Sequence, residues 1–318
     1  MKEKAIFITR SNISLCSKNT NVYRKALEVA TKYDATLYVS KACIVPDEIA
    51  EKYAAIVRFR HVWDILPRIG EGAQSGIKVF TGFDFPCMYV GWQLKKRYGC
   101  KWTMFLWDPP CLSHRDGFPQ LRWAIDALFR FFAKRCDKLV LNIHPGLLGE
   151  IGYRPREGQL ELRMQDAWEG YDFNRVEHVE RADGFAYDFG VLANWSKAKG
   201  GELMASAMTR MLGKKCLWIG DQPKDGKACD GIEFVGRLSQ EDAFARLCKC
   251  RVLVVPYLST RAFKWNYPLK LFEYLQLGRP IIASDNPGNA AIAERFKGRI
   301  YLFKSGNADD FIRIAKAV

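Results

Sequence analysis

No stretch of the 318-residue chain approaches the roughly 18 uninterrupted apolar residues of a membrane-spanning helix, so none is expected. The N-terminus, MKEK, leads into too short an apolar run for the core of a secretory signal. Glycine has no fixed period, which excludes collagen-like repeats, and neither an internal repeat nor a low-complexity tract occurs. The apolar share of 48% and aromatic share of 13% exclude intrinsic disorder. Helix-turn-helix, zinc-finger and aromatic RNA-binding motifs are also missing, so nucleic-acid binding would rest on charge alone and no nucleic-acid partner is expected. Ten cysteines are scattered through strand-like and helical segments. Cys248 and Cys250 form a C-x-C with no second Cys or His pair nearby, so they read as small core hydrophobes. With no secretory signal, reduced thiols in a cytoplasmic protein are expected.

What is present is a basic chain long enough for two domains. Forty-nine Lys and Arg against 35 Asp and Glu leave +14, with more of the excess in residues 1–150 than in 151–318. Such a field favours anionic partners: nucleotides, nucleic acid or anionic lipid surfaces. Short apolar runs alternate with helix-length amphipathic stretches. Strands are expected at 5–9, 36–40, 56–57, 77–80, 102–106 and 138–142, with helices at 22–33 and 121–134. Residues 154–184 are polar and read as irregular. A second series then supplies strands at 190–193, 215–219, 252–255 and 281–284 and a helix at 201–212. Strands separated by helices imply right-handed crossovers and parallel sheets buried on both faces, an α/β class. A hinge is expected near 165–186. Ligands in such sheets bind beyond the carboxyl ends of the strands.

The most informative run is 267–284, YPLKLFEYLQLGRPIIAS. Pro268 suits the first turn of a helix and Gly278 the position just past its end, which brackets about ten residues before a buried strand. The start of that helix would present free N–H groups and the positive end of its dipole to an anion. Lys270 would add a charge there. Glu273 lies about 9 Å beyond Tyr267 along the axis, near where the ribose of a diphosphate-bound nucleotide would fall. Its carboxylate could accept from two vicinal hydroxyls. An ordinary surface Lys–Glu pair at i, i+3 explains the same spacing.

In its surroundings this run resembles the nucleotide-sugar region of GT-B glycosyltransferases, most closely glycosyltransferase family 4. Residues 190–200 (GVLANWSKAKG) look like that family's strand, loop and Lys-Gly helix start, 217–221 (LWIGD) like its next strand and turn, and 232–241 (IEFVGRLSQE) like the segment beside the donor base. Residues 286–294 (NPGNAAIAE) look like the loop after the motif strand, and 169–173 (EGYDF) like an interdomain element. The resemblance implies two Rossmann-like domains, 1–180 on the acceptor side and 185–318 on the donor side, with parallel sheets facing an interdomain cleft. It implies that Glu273 binds the donor ribose, that Lys199 meets the phosphates, that main chain around Tyr267, Pro268 and Leu269 cradles the diphosphate, and that main chain near Arg237 and Leu238 meets the base; Lys199, with Lys270 at the helix start, is a catalytic candidate. Two positions depart from the family. Trp265 stands where a first Glu is usual, eight before Glu273, and Asn194 replaces a common basic residue. The family's last helix usually crosses back onto the first domain, whereas this sequence stops at Val318 soon after a predicted helix at 309–316, so a truncated second domain or a looser pairing is expected.

In the first half, 105–114 (FLWDPPCLSH) resembles a segment that often carries a His-Asp pair. Asp108 is the catalytic candidate there, with His114 and Asn12 as acceptor-side candidates and His144 a weaker one. The family is retaining and needs neither a metal nor an organic cofactor, and no Asp-x-Asp motif occurs. Helix 121–135 is basic and aromatic. Packing within the first domain is the preferred reading, with peripheral contact to an anionic membrane as the alternative. Together these features imply transfer of a sugar from a nucleotide-diphosphate sugar to a glycan or lipid-linked acceptor, in cell-envelope polysaccharide or glycolipid synthesis. The alternative is a catalytically silent scaffold that binds a nucleotide or a partner protein.

Overall fold

The computed structural model describes residues 2–10, 13, 21–69, 76–108, 121–163, 184–223 and 229–318. The chain divides into two units, Met1–Ala167 and Trp168–Val318. The first contains strands β1 (Lys4–Thr9), β2 (Asp34–Ser40), β3 (Ala55–Phe59), β4 (Lys78–Thr81), β5 (Lys101–Leu106), β6 (Lys138–Leu141) and β7 (Leu160–Leu162). They form one sheet in the order β3-β2-β1-β4-β5-β6-β7, every neighbouring pair parallel. Its helices are α1 (Asn21–Lys32), α2 (Asp47–Ala50), α3 (Ile65–Ile69), α4 (Phe85–Tyr98), α5 (Arg122–Ala133) and α6 (Gly146–Ile151).

The local signals explain these elements. Asp84 caps α4 by accepting from the Cys87 N–H at 3.1 Å, Pro86 stands in the first turn, and Gly99 ends the helix in the left-handed region. Lys95, Lys96 and Arg97 complement the dipole in its last turn. Gly91 lets α4 reach the sheet, since a Cβ there would lie 2.4 Å from Nε1 of the buried Trp102. That indole donates to Thr81 Oγ1 at 2.9 Å, so the ring is buried without an orphaned donor. Phe7, Phe80, Phe105 and Trp107 continue this aromatic core.

The second unit contains β8 (Tyr187–Leu192), β9 (Cys216–Ile219), β10 (Ile232–Phe234), β11 (Cys250–Val255), β12 (Ile281–Ser284) and β13 (Ile300–Phe303), with α7 (Gly201–Arg210), α8 (Gln240–Leu247), α9 (Arg261–Lys264), α10 (Leu269–Gln276), α11 (Pro287–Arg295) and α12 (Ala308–Ala317). Its sheet order is β10-β9-β8-β11-β12-β13, again all parallel. In both units the strand order reverses beside the first strand, the doubly wound arrangement in which ligands bind beyond the carboxyl edge at the switch point. In the second unit that point lies between β8 and β11.

Two expectations need correction. The stretch read as irregular, 154–184, contains β7. This three-residue edge strand is too short for a periodic signal and is anchored from outside itself: buried Gln159 donates to Ala133 O at 2.7 Å and Cys136 O at 2.9 Å, and accepts from Tyr153 Oη at 2.7 Å. Pro268 is not in the first turn of its helix. Its ψ of 120° is extended, which makes it the residue before an eight-residue α10, while Gly278 takes the expected positive φ of 65°. The cysteines among the described residues are free thiols, most of them buried. No helix among the described residues is long and apolar enough to cross a membrane.

Candidate functional site

The loops that leave the carboxyl edge of the second sheet are tied together at the switch point. After β8 the chain runs through a short 3-10 turn, Lys197–Lys199, capped by Ser196, whose hydroxyl accepts from the Lys199 N–H at 3.2 Å. Gly200 follows with φ 79°, and a Cβ there would lie 2.1 Å from Pro256 O, in the loop after β11. Only glycine allows the two loops to approach so closely. Leu258 N–H donates to Ala198 O at 2.9 Å across the same gap. From the other side Tyr274 of α10 accepts the Leu192 N–H on its phenol oxygen at 2.7 Å, fixing α10 against the end of β8. Gly220, after β9, lies against Ala193 and receives the loop after β10 through its N–H bond to Gly236 O at 2.8 Å.

This frame holds Glu273 in the second turn of α10. The carboxylate is only 3% exposed, and its Oε2 accepts from Lys270 Nζ at 2.7 Å. The i, i+3 pair read in the sequence is therefore formed, with one difference from a surface pair: the acid is inside and only the lysine reaches the surface. Removing the partner of a buried ion pair is strongly destabilising, because it leaves an uncompensated charge inside. Burial and the charge of Glu273 raise the phenol of neighbouring Tyr257. Burial, Tyr257 and Glu273 together raise that of Tyr274 far above its ordinary range. Tyr267 is buried, which pushes its phenol up to about 12. No side chain caps α10 at Pro268, and its first N–H groups, including that of half-buried Leu269, have no acceptor within the helix.

Lys199 is half-buried at the end of its turn. Burial lowers its pKa and the positive charge of Lys270 lowers it further, with Asp221 opposing. Two ammonium groups thus act on each other across the switch point, with one buried and one exposed carboxylate as counter-charges. Asp221 is gripped by two of the guanidinium nitrogens of Arg237, Nε and Nη2, at 2.7 Å each, which holds its carboxyl below the usual range. The Arg237 side chain is therefore engaged, leaving the main chain of Arg237 and half-buried Leu238 ahead of α8. Asp221 lies within a motif legible in the sequence, but its pairing with Arg237, sixteen residues on, gave no local signal. The same is true of Ser284 and Asn286, whose side chains both donate to Tyr257 O, and of Asn289, which donates to Ser284 O. Gly288 allows this packing, since a Cβ there would lie 2.0 Å from Asn266 O.

The departures also have definite places. Trp265 ends α9, with Lys264 Nζ 4.5 Å from its ring centre. Asn194 is exposed, and Lys197 sits 3.8 Å from Glu202. In the first unit Asp108 is exposed just past β5, after Trp107, which packs edge-on against Phe83 at 5.5 Å. His144 Nδ1 accepts from the Gly146 N–H at 3.1 Å, so this ring caps α6, and burial lowers its pKa. Asn12, His114 and the segment 169–173 lie outside the described residues.

With this geometry in hand, the comparison with known families is specific. Residues 187–318 match glycosyl transferases group 1. The matched segment opens at the first residue of β8 and contains Lys199, Lys270 and Glu273. No curated protein matches the chain in sequence. Among solved structures it is similar to an α,α-trehalose-phosphate synthase (UDP-forming) from Burkholderia vietnamiensis, with a TM-score of 0.65, 11% identity, and coverage of 100% of this chain and 89% of that one. It is also similar to a sucrose-phosphate synthase from Thermosynechococcus elongatus, with a TM-score of 0.64, 14% identity, and coverage of 99% and 89%. A UDP-GlcNAc 2-epimerase from Methanocaldococcus jannaschii shares the fold at a TM-score of 0.54, 11% identity, and coverage of 99% and 92%. At these identities the structures establish the fold, two Rossmann-like units of the GT-B kind, which hosts more than one reaction. The group 1 match and the fold together support a glycosyltransferase-like enzyme.

Proposed function

We propose that the protein is a retaining glycosyltransferase. It moves a sugar from a nucleotide-diphosphate sugar to a glycan or lipid-linked acceptor, at the cytoplasmic face of cell-envelope polysaccharide or glycolipid synthesis, and does so without a metal. The observation that carries this reading is buried Glu273 paired with the half-exposed Lys270 near the uncapped start of α10, with Lys199 acting on Lys270 from the β8 loop. The diphosphate would take the N–H groups at Leu269 and Lys270 together with the two ammonium groups. As Lys270 turned to phosphate, Glu273 would lose its partner and accept from the ribose hydroxyls instead, so one exchange would register both halves of the donor. The same cations would offset charge growing on the leaving diphosphate, the main electrostatic task of the transfer. In a retaining course the donor's own phosphate oxygen takes the acceptor's proton, so no protein base is required. Asp108 is then assigned to the acceptor side.

Two of the structural relatives are named for uridine diphosphate chemistry, which makes UDP the first nucleotide to try. Thermal unfolding with uridine, guanosine and adenosine diphosphates tests donor binding, since a ligand of the folded state raises its apparent stability. Slow hydrolysis of a matching nucleotide sugar, undiminished by EDTA and lost in Glu273→Gln, supports the enzyme. Nucleotide binding without turnover of any sugar donor, with or without acceptors, favours the silent scaffold that Trp265 and Asn194 suggest.

A further inference from the structure

The first unit carries an outward face that its core does not account for. Helix α5 buries Asp126, Phe129, Phe132 and Ala133. Its opposite side is not the polar face of an ordinary amphipathic surface helix. Trp123 is 73% exposed and Leu128 41%, with Phe131 half-buried beside them. The single carboxylate of α5, Asp126, faces inward, while Lys134 and Arg135 at its end face out. The surface continues onto α4. Trp92 packs edge-on against Phe131 at 5.2 Å, Tyr89 against Trp92 at 5.8 Å, and Trp63, 56% exposed, against Tyr89 at 5.1 Å. The Arg135 guanidinium lies 3.5 Å from the Phe131 ring centre, and Lys96 Nζ lies 5.7 Å from that of Trp92. Lys95 and Arg122 are paired with Asp137 and Glu150, but Lys96, Arg97, Lys134 and Arg135 pair with no carboxylate among the described residues. A cavity of about 430 Å³ brings Arg154 beside Lys134 at this end of α5.

Exposed rings and aliphatic tips interleaved with unpaired cations, on two adjacent helices that turn no acid outward, while the neighbouring Asp137 and Glu150 are held by Lys95 and Arg122, match a charged lipid–water boundary. There the rings sit at headgroup depth and the long cations reach phosphates. A protein partner fits less well, because protein interfaces are depleted in lysine. We propose that the α4–α5 face, centred on Trp123, Leu128, Phe131, Lys134 and Arg135, docks the protein on a bilayer that contains anionic lipid. This surface is independent of the donor site, and its failure would leave that reading untouched.

The test is co-sedimentation of the full chain with phosphatidylcholine vesicles, with and without about one third phosphatidylglycerol, from low to high salt. Binding is expected to the anionic vesicles only and to weaken as salt screens it. Each basic contact near such a surface is worth about fivefold in partitioning. Lys134→Glu/Arg135→Glu should therefore lower binding well over tenfold, and Trp123→Ser/Leu128→Ser should lower it about as much by removing the inserted side chains. All four side chains are exposed, so each variant should fold, with a small loss of thermal stability in Lys134→Glu/Arg135→Glu, where Arg135 gives up its bond to Phe131 O. A charge-matched control, Lys297→Glu/Lys316→Glu, lies on the second unit and should bind like the wild type. Failure of the wild type to bind anionic vesicles overturns the proposal. So does equal loss in the control, or salt-sensitive binding that Trp123→Ser/Leu128→Ser leaves unchanged, since either outcome is diffuse adsorption of a basic protein. Capture of an acidic protein by this face with no vesicle binding overturns it as well.

Discussion

At the scale of single residues, the decisive feature is a lysine whose charge is held at a disadvantage. Burial and the neighbouring ammonium of Lys270 lower the pKa of Lys199 below the ordinary lysine value. A bound diphosphate needs the protonated form. Nucleotide affinity should therefore fall with rising pH before an unperturbed lysine would titrate, and Lys199→Arg should flatten that fall, because guanidinium stays charged. Calorimetric titration of UDP across alkaline pH would show it, and identical profiles for the two proteins would remove Lys199 from the site. In the first unit Glu28 behaves oppositely. Burial raises its pKa, but Lys25, Arg163 and Lys32 together outweigh that and bring it to about 2. A carboxylate with a depressed folded pKa contributes stability above its unfolded pKa, and that contribution disappears as pH falls through the folded value. Glu28→Gln should cost about 2 kcal/mol near neutrality. The cost should shrink as pH falls below about 4.5 toward about 2, read as the difference in urea midpoints between wild type and variant.

At the scale of elements, the site depends on close approach between loops more than on any one helix. Gly200 has positive φ and no room for a Cβ against Pro256 O. Gly200→Ala should destabilise the protein by about 2 kcal/mol or more, through strain and the displaced loop, and should weaken nucleotide binding by moving Lys199. Denaturant unfolding together with UDP affinity checks both, and an alanine variant with wild-type affinity would show that the β8 loop does not position the donor. The same scale shows why some elements were legible and others not. Helix α10 could be read because Pro268 and Gly278 punctuate it by local backbone chemistry, although its start moved by a residue. The end of β8 and the β9, β11 and β12 strands could be read because strands buried on both faces are continuous apolar runs, rich in Val, Ile and Leu. Strands β7 and β10, three residues each, have no such signature. They exist because a longer neighbour offers them a ladder.

At the scale of the whole molecule, every residue assigned to the donor lies in the second unit, from Lys199 through Glu273, within the segment that matches glycosyl transferases group 1. Residues 184–318 made alone should fold cooperatively and bind the same nucleoside diphosphate as the full chain, while transfer to an acceptor should be lost. Nucleotide binding by the full chain alone would mean that the first unit completes the donor site. The first unit contributes a sheet of the same strand order with one further edge strand, and the basic, aromatic α4–α5 face.

What the sequence determined by itself was whatever local chemistry dictates: parallel sheets from buried apolar runs, a short helix bracketed by Pro268 and Gly278, and a Lys and a Glu three residues apart on one helix face. Tertiary structure alone decided that Glu273 lies inside with Lys270 as its cover, that Asp221 is locked by Arg237, and that the apolar side of α5 is divided between core and surface. A residue's burial and its partner are properties of the surface that packs against it. In a parallel sheet wound by crossovers, that surface comes from strands and loops far away in the chain.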